Sequence, residues 1–351
     1  MDSWLWAELL PGIPEDIVLE EIAVNLPSRD VATLSVLSHR WHQAVQDREV
    51  YDARVRHHST EPYLVLHVWD TQFTGPVLYC LRDHTLHHLP PIPPSMSWLE
   101  CTFVALDGKL YILGYNQQVY VLDLGGQRDW RPCANMLEPR QSFGCGVLDG
   151  KIYAFGGSSL DGDHTPVCGS EMYDAQLNSW FPIKPMISGG NVGRVILTSV
   201  GMELFVQQRF EHSWQVYHPQ KDAWRVVEGL RMGHQRAFTV QGQLYSMSSE
   251  GIHVFDAEKA SWTHQHTISC DELGPKEYVS ICPYFILPMN NELLAIVLWD
   301  RTDFETEGWC LLQSKGFNGS FSSKNQQIVW SKVPSSLESV DLGGGICLIQ
   351  L

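Results

Sequence analysis

Asp149-Gly150-Lys151-Ile152-Tyr153-Ala154-Phe155-Gly156-Gly157 reads as a tight turn, a strand, and a glycine pair that ends the strand. Asp-Gly is a strong hairpin signal, because a type I′ turn needs positive φ at both central residues. Ile152, Ala154 and Gly156 fall on one side of the strand, and Tyr153, Phe155 and Gly157 on the other. Upstream, Phe143, Cys145, Val147 and Leu148 supply a partner strand. Downstream, Met172-Tyr173-Asp174, a polar link and Trp180-Phe181-Pro182 supply two more. The stretch predicts a four-stranded antiparallel module, and most of the chain reads as copies of it.

The copies are laid out by their turns. Asp107-Gly108 precedes the module; Val200-Gly201, Gln241-Gly242 and Asn290-Asn291 follow it, each opening an apolar strand. The second turn residues are 42, 51, 41 and 49 positions apart. Trp130, Trp180, Trp224, Trp262 and, after an insertion, Trp330 fall late in each unit. A period of about 40 to 50 residues with four strands per unit predicts a β-propeller. A single unit cannot cover both its faces, whereas ring closure covers them and hides most strand edges. Blades marked by a Trp-Asp dipeptide are disfavoured, because Trp69-Asp70 and Trp299-Asp300 do not stand at a blade end.

Five units follow Cys101. Tyr63–Trp69, Val77–Leu81 and Thr85–Leu89 give only three strands of a sixth, and the apolar run Gly345–Leu351 supplies the fourth. The expectation is an all-β propeller of six blades closed by the C-terminal strand. The blades are roughly 61–97 with 343–351, 98–138, 139–187, 188–231, 232–275 and 276–342, together forming a domain over 61–351. The competing reading is a tail folded on the surface.

Residues 1–60 are a different kind of object, with no β period. Pro14-Glu15-Asp16 opens a helix, with proline in the first turn and acids at the positive end of the dipole. Ile17, Val18, Ile22 and Leu26 follow at helical spacing, and Leu26-Pro27 stops it. Ser28 caps a second helix, with Val31, Leu34 and Leu37 at three-residue steps. A third runs through Ser38–Val45. Three short helices in about fifty residues make a small core, so a helical partner is expected to complete it.

The 351 residues are 44% hydrophobic and 18% charged, enough for a sizeable core. A net charge of −16 argues against nonspecific binding to nucleic acid or an anionic membrane surface. No secretory signal and no run of about 18 apolar residues is present. The nine cysteines are scattered, with no Cys-x-x-Cys pair. They read as reduced thiols, in cytoplasm or nucleus.

The glycine pair, the tyrosine and the late tryptophan resemble the kelch repeat. The 149–180 unit carries the full pattern, the 107–130 unit keeps one glycine, and later units have neither. Leu10-Pro11-Gly12-Ile13-Pro14-Glu15-Asp16-Ile17, Leu26-Pro27-Ser28-Arg29-Asp30-Val31 and Leu37-Ser38-His39-Arg40-Trp41 resemble an F-box, over roughly residues 10–55. The stretch before Leu26-Pro27 is one residue longer than that pattern, and Glu21 stands where an apolar residue is commoner. F-box plus kelch propeller is a familiar arrangement in plants. The resemblance implies a non-catalytic substrate receptor of an SCF-type ubiquitin ligase. An adaptor, Skp1, would be bound by Ile13, Pro14, Ile17, Ile22, Leu26, Pro27, Val31, Leu34, Leu37 and Trp41, and a cullin scaffold would be reached through it. For each of these the bland alternative is that it only holds the helices together.

The propeller rim would then hold a target protein for ubiquitination and proteasomal degradation. Targets of similar plant proteins include metabolic enzymes and hormone-response regulators. Loops carry recognition, and the candidates are Arg140, Asp161, His164, Arg194, Arg209, Arg231, Arg236 and Arg301. Arginine forks suit an acidic segment; the alternative is ordinary solvated loop charge. The histidine run His84-Thr85-Leu86-His87-His88 lacks ligand-spaced cysteines or acids, so no metal and no cofactor is expected. No Gly-rich phosphate loop, Gly-x-Ser-x-Gly elbow or His-Glu-x-x-His occurs. The competing functions are a ligase-independent propeller scaffold and a propeller enzyme of the copper-oxidase type. The latter needs a Tyr, Cys and His ligand set that the sequence does not single out.

Overall fold

Asp149 and Gly150 take φ of 51° and 68° in the computed structural model, the left-handed pair a type I′ turn demands. The two-residue loop sets the register, with Leu148 opposite Lys151 and Val147 opposite Ile152. Alternate residues then separate. Ile152 and Ala154 enter an apolar layer with Leu113, Phe143 and Trp180. Tyr153 and Phe155 enter another with Leu204, Val206 and Tyr217. Gly157, at φ 96°, is needed where the strand ends: a Cβ there would lie 2.7 Å from the Gln141 carbonyl oxygen.

The structure describes residues 8–70, 75–82, 85–96, 101–160, 165, 167, 169–188, 196–200, 202–207, 214–227, 236–240, 243–248, 251–256, 261–266, 268–270, 283–289, 292–300, 307–315, 328–333 and 341–350. Their α-helices lie in the first sixty positions, and one further 3-10 turn, Pro219–Lys221, lies between strands late in the chain. A short α1 (Glu15–Ile17) runs into a π-helical turn over Val18–Ile22 and a 3-10 turn over Ala23–Asn25. α2 (Ser28–Leu34), α3 (His39–Gln46) and α4 (Glu49–Arg56) follow. The three expected helices are thus joined by a fourth, and Pro27, not Ser28, takes the N-cap of α2. The π turn explains the extra residue before Leu26-Pro27. A π turn is an α-helix carrying one inserted residue. Here the Ala23 amide donates to the Val18 carbonyl, so Val18 and Ala23, five apart, both reach the core while Glu21 stays exposed.

The strands are β1 (Pro62–Asp70), β2 (Gly75–Arg82), β3 (Thr85–His88), β4 (Cys101–Leu106), β5 (Lys109–Gly114), β6 (Val119–Asp123), β7 (Trp130–Pro132), β8 (Gly144–Leu148), β9 (Lys151–Phe155), β10 (Ser170–Asp174), β11 (Ser179–Ile183), β12 (Ile196–Val200), β13 (Glu203–Gln207), β14 (Trp214–His218), β15 (Ala223–Val227), β16 (Arg236–Val240), β17 (Gln243–Ser248), β18 (Gly251–Asp256), β19 (Ser261–His266), β20 (Ile268–Cys270), β21 (Pro283–Met289), β22 (Glu292–Asp300), β23 (Glu307–Lys315), β24 (Ile328–Val333) and β25 (Asp341–Gln350). Their hydrogen-bonded orders are β25-β1-β2-β3, β4-β5-β6-β7, β8-β9-β10-β11, β12-β13-β14-β15, β16-β17-β18-β19 and β21-β22-β23-β24-β20. Every pair is antiparallel except β20 with β24, a parallel outer strand that the turn spacing does not announce. β25 pairs with β1, Tyr63 opposite Ile349 and Val65 opposite Cys347. The architecture is a β-propeller. No helix among the described residues is long and apolar enough to cross a membrane.

The recurring tryptophan has a recurring job. The indole N–H of Trp130 donates to the Pro90 carbonyl (3.3 Å), that of Trp180 to Ala134 (3.0 Å) and that of Trp224 to Lys184 (2.8 Å). Each bond ties the fourth strand of a sheet to the connector leading into that sheet. The Tyr173 and Tyr217 hydroxyls donate to Asn178 and Asp222, whose side-chain oxygens also accept from the amides of Ala134 and Lys184. Buried polar groups are thereby satisfied where these three sheets meet their connectors, whereas the buried indole nitrogen of Trp262 has no hydrogen-bond partner among the described residues.

Candidate functional site: an exposed apolar face on the helices

The helices hold one small core: Leu9, Val18, Ala23, Val31, Trp41, Ala44 and Val50 are buried together, with Ile22, Leu26 and Leu34 partly buried against them. Local signals explain how the chain reaches it. Pro11-Gly12 makes a turn in which Gly12 has φ 81° and the Ile13 amide donates to the Leu10 carbonyl. Ser38 caps α3, its hydroxyl accepting from the Trp41 amide at 3.1 Å. Arg40 on α3 then spans two elements. Its guanidinium donates to both carboxylate oxygens of Glu15 (2.9 and 2.7 Å) and of Glu49 (3.0 and 2.6 Å). That hydrogen bond holds the Glu15 carboxyl below its ordinary value, and the two carboxylates hold the Arg40 guanidinium above its own. Arg54, 3% exposed, donates to the Leu26 carbonyl at 2.7 Å and the Ser59 carbonyl at 2.8 Å. It thus pins the Leu26-Pro27 break to the start of the strands.

This frame divides the expected adaptor-binding residues into three groups. Val31 and Trp41 are core, 9% and 3% exposed. Ile22, Leu26, Pro27 and Leu34 are half-buried. Ile13, Pro14, Ile17 and Leu37 are exposed, Leu37 by 64%. Val36 joins them at 80% exposure. It was missed because the steps Val31, Leu34, Leu37 pass over it. A bundle with a closed core and isoleucine and leucine side chains left in solvent has apolar area to give to a partner.

The rim arginines fare differently. Arg140 is not on the rim at all: it is 1% exposed, and its guanidinium donates to the Gly156 and Gly169 carbonyls and to the Glu171 carboxylate (3.0, 2.8 and 2.8 Å). Glu171 in turn accepts from the Leu137 amide at 2.7 Å, which anchors the connector into that sheet. Burial pushes the Glu171 carboxyl upward against the pull of Arg140. Gln215 repeats the role one sheet on, accepting from the Ile187 amide at 2.8 Å. Arg236 begins β16; Asp161, His164, Arg194, Arg209, Arg231 and Arg301 lie outside the described residues. His87 and His88 are exposed, and His84 lies outside the described residues. Among the described residues no three of His, Cys, Asp or Glu gather as a metal site.

Comparison with known proteins agrees with the repeat geometry. The kelch motif matches residues 139–187, the stretch built around Asp149-Gly150 and closed by Arg140, Glu171 and Trp180. The chain is 29% identical over 273 residues to the F-box/kelch-repeat protein SKIP30 of Arabidopsis thaliana, covering 72% of this chain and 75% of that protein. It is 28% identical over 330 residues to the F-box/kelch-repeat protein At2g29830, covering 86% and 82%. The F-box protein AFR, also from Arabidopsis thaliana, is 26% identical over 268 residues, covering 69% of each. Among solved structures, that of YjhT superposes with a TM-score of 0.51 at 13% identity, over 70% of this chain and 86% of the other, a likeness of fold alone.

Proposed function

The chain is an F-box/kelch-repeat protein of the plant type, and from that premise we propose that it is the substrate-recognition subunit of an SCF-type ubiquitin ligase. Residues 1–60 form the adaptor-binding unit and residues 61–351 a six-bladed propeller closed by β25. The helical unit gives Ile13, Pro14, Ile17, Val36 and Leu37 to a Skp1-like adaptor, which links to a cullin. Val31, Trp41 and the half-buried residues shape that surface from beneath. The propeller loops outside Arg140 hold a target protein for ubiquitination and degradation, in cytoplasm or nucleus. The protein has no catalytic step of its own; it raises the effective concentration of target at the ligase.

The observation that carries this reading is the exposure of Ile17 and Leu37 on a bundle whose own core is complete without them. Co-expression of the full chain with a Skp1-like adaptor tests it. Ile17→Asp with Leu37→Asp places two charges where apolar anchors would be desolvated, and should abolish co-purification while leaving the melting transition unchanged. Undiminished co-purification would overturn the assignment.

A further inference from the structure

Tyr51 is 6% exposed, yet it is absent from the helical core. Its neighbour Val50 faces that core, while Tyr51 points the other way, onto the sheet β4–β7. There its ring fills a seat made by two missing side chains. A Cβ on Gly108 would stand 2.5 Å from the ring, and one on Gly125 would stand 2.8 Å from it. Gly126 is excluded in the same way by the Gln46 carbonyl oxygen at 2.9 Å. The corresponding links Asp174–Ser179, His218–Ala223 and Asp256–Ser261 contain no glycine, and the longer link Lys315–Ile328 has Gly316 and Gly319 but no adjacent pair. The adjacent pair Gly125-Gly126 thus lies in the sheet against which α4 packs.

Arg48 locks the seat. It stands at the N-cap of α4 with φ 64°, so the chain turns sharply and sends the side chain toward the sheet. The guanidinium meets Asp123 at 2.5 Å and the Asp107 carboxylate at 3.3 Å, and donates to the Asp107 carbonyl at 2.8 Å. It also lies 4.3 Å over the Tyr51 ring. Arg48 is 14% exposed and Asp123 22%, so that pair is sheltered from much of the solvent screening, whereas Asp107 is open to solvent. Burial, with Asp107 close by, lifts the Tyr51 hydroxyl to about 12, so it stays protonated at any physiological pH.

We propose that Arg48 and Tyr51, seated on Asp107-Gly108, Asp123 and Gly125-Gly126, are positioning residues that fix the helical unit rigidly on one sheet of the propeller. The contact sets the angle and distance between the exposed Ile17–Leu37 surface and the loops. Its consequence for ubiquitin transfer rests on the function proposed above, whereas the rigid contact does not. A ligase has to present a lysine of the target at a fixed gap from its catalytic partner. A free hinge would spread that gap over many values, whereas a seated tyrosine holds one.

Small-angle scattering and hydrogen exchange on the full chain test this. Arg48→Asn keeps a residue that tolerates the left-handed N-cap while removing every ion pair; it is combined with Tyr51→Ala. Independently, Gly125→Val fills the seat from the propeller side without touching the helices. Both variants should show a larger radius of gyration and about tenfold or faster exchange of the α4 and Gly125-Gly126 amides. Adaptor co-purification should be retained, and the main melting transition kept. Scattering and exchange matching the parent in both variants would overturn the proposal. Loss of adaptor binding in the unsubstituted chain would instead remove only the function above, and a variant that fails to fold is replaced by its counterpart on the other side of the contact.

Discussion

His67 is the residue whose behaviour separates most cleanly from its neighbours. It lies on β1, 1% exposed, with its ring 5.1 Å from that of Phe103. Neither ring nitrogen has a hydrogen-bond partner among the described residues. Desolvation lowers its pKa from 6.5 to about 4. A depressed folded value means the unfolded chain binds the proton first, so stability held above pH 6.5 is lost as pH falls toward the folded value near 4. At about 1.4 kcal/mol per unit this approaches about 3 kcal/mol. His67→Leu should flatten the loss between pH 6.5 and 4 in denaturant titrations at several pH values. An unchanged slope would show that the imidazole finds a proton-binding partner. Arg140 teaches the matching lesson. Its charge reads as surface in a sequence, because the glutamate that neutralises it, Glu171, is 31 positions away. Removing a partner of such a buried pair costs about 3 to 5 kcal/mol. Arg140→Ala should therefore lower the melting temperature sharply; a shift of a degree or less would return Arg140 to the recognition surface.

Among the elements, the turns were the most readable and α4 the least. Asp149-Gly150 and Asp107-Gly108 announce themselves because only a few residue types accept two consecutive positive φ values. Caps were less plain: the serine read as a cap, Ser28, is the first residue of α2, while Ser38, read only as the start of the third helix, caps α3; Ser38→Ala should cost about 0.5 to 2 kcal/mol in chemical denaturation, and no loss would mean that the Trp41 amide finds water instead. α4 was missed for a physical reason. Val50 and Ala53 are buried, and so are Tyr51 and Arg54 beside them, because the helix is covered by the bundle and by the sheet below it. A helix covered from two directions shows no single apolar stripe. The extra residue ahead of Leu26-Pro27 was visible, but its resolution as a π turn was not, since that depends on which side chains the core accepts. Gly125-Gly126 carried a signal that went unused: a glycine pair in one link and in none of its counterparts.

For the molecule as a whole, the period of turns and tryptophans made the propeller legible, because the joint between sheet and connector recurs in three consecutive sheets, at Trp130, Trp180 and Trp224. The function was legible only in part. Four of the expected anchors are exposed and two lie in the helical core, a division that spacing along the chain does not reveal. β25 lies against β1 over most of its length, joining the chain's last strand to the first of the propeller. Deleting residues 345–351 should therefore unfold the sheets cooperatively, and a soluble truncation with the parent's melting curve would show that β25 is dispensable.

The proposed function depends on the helical unit being a docking surface for an adaptor. Titration calorimetry of the purified full chain with a purified Skp1-like adaptor measures this directly. One-to-one binding is expected, eliminated by Ile17→Asp with Leu37→Asp; no binding by the unsubstituted chain, or equal binding by the variant, would contradict the proposed function.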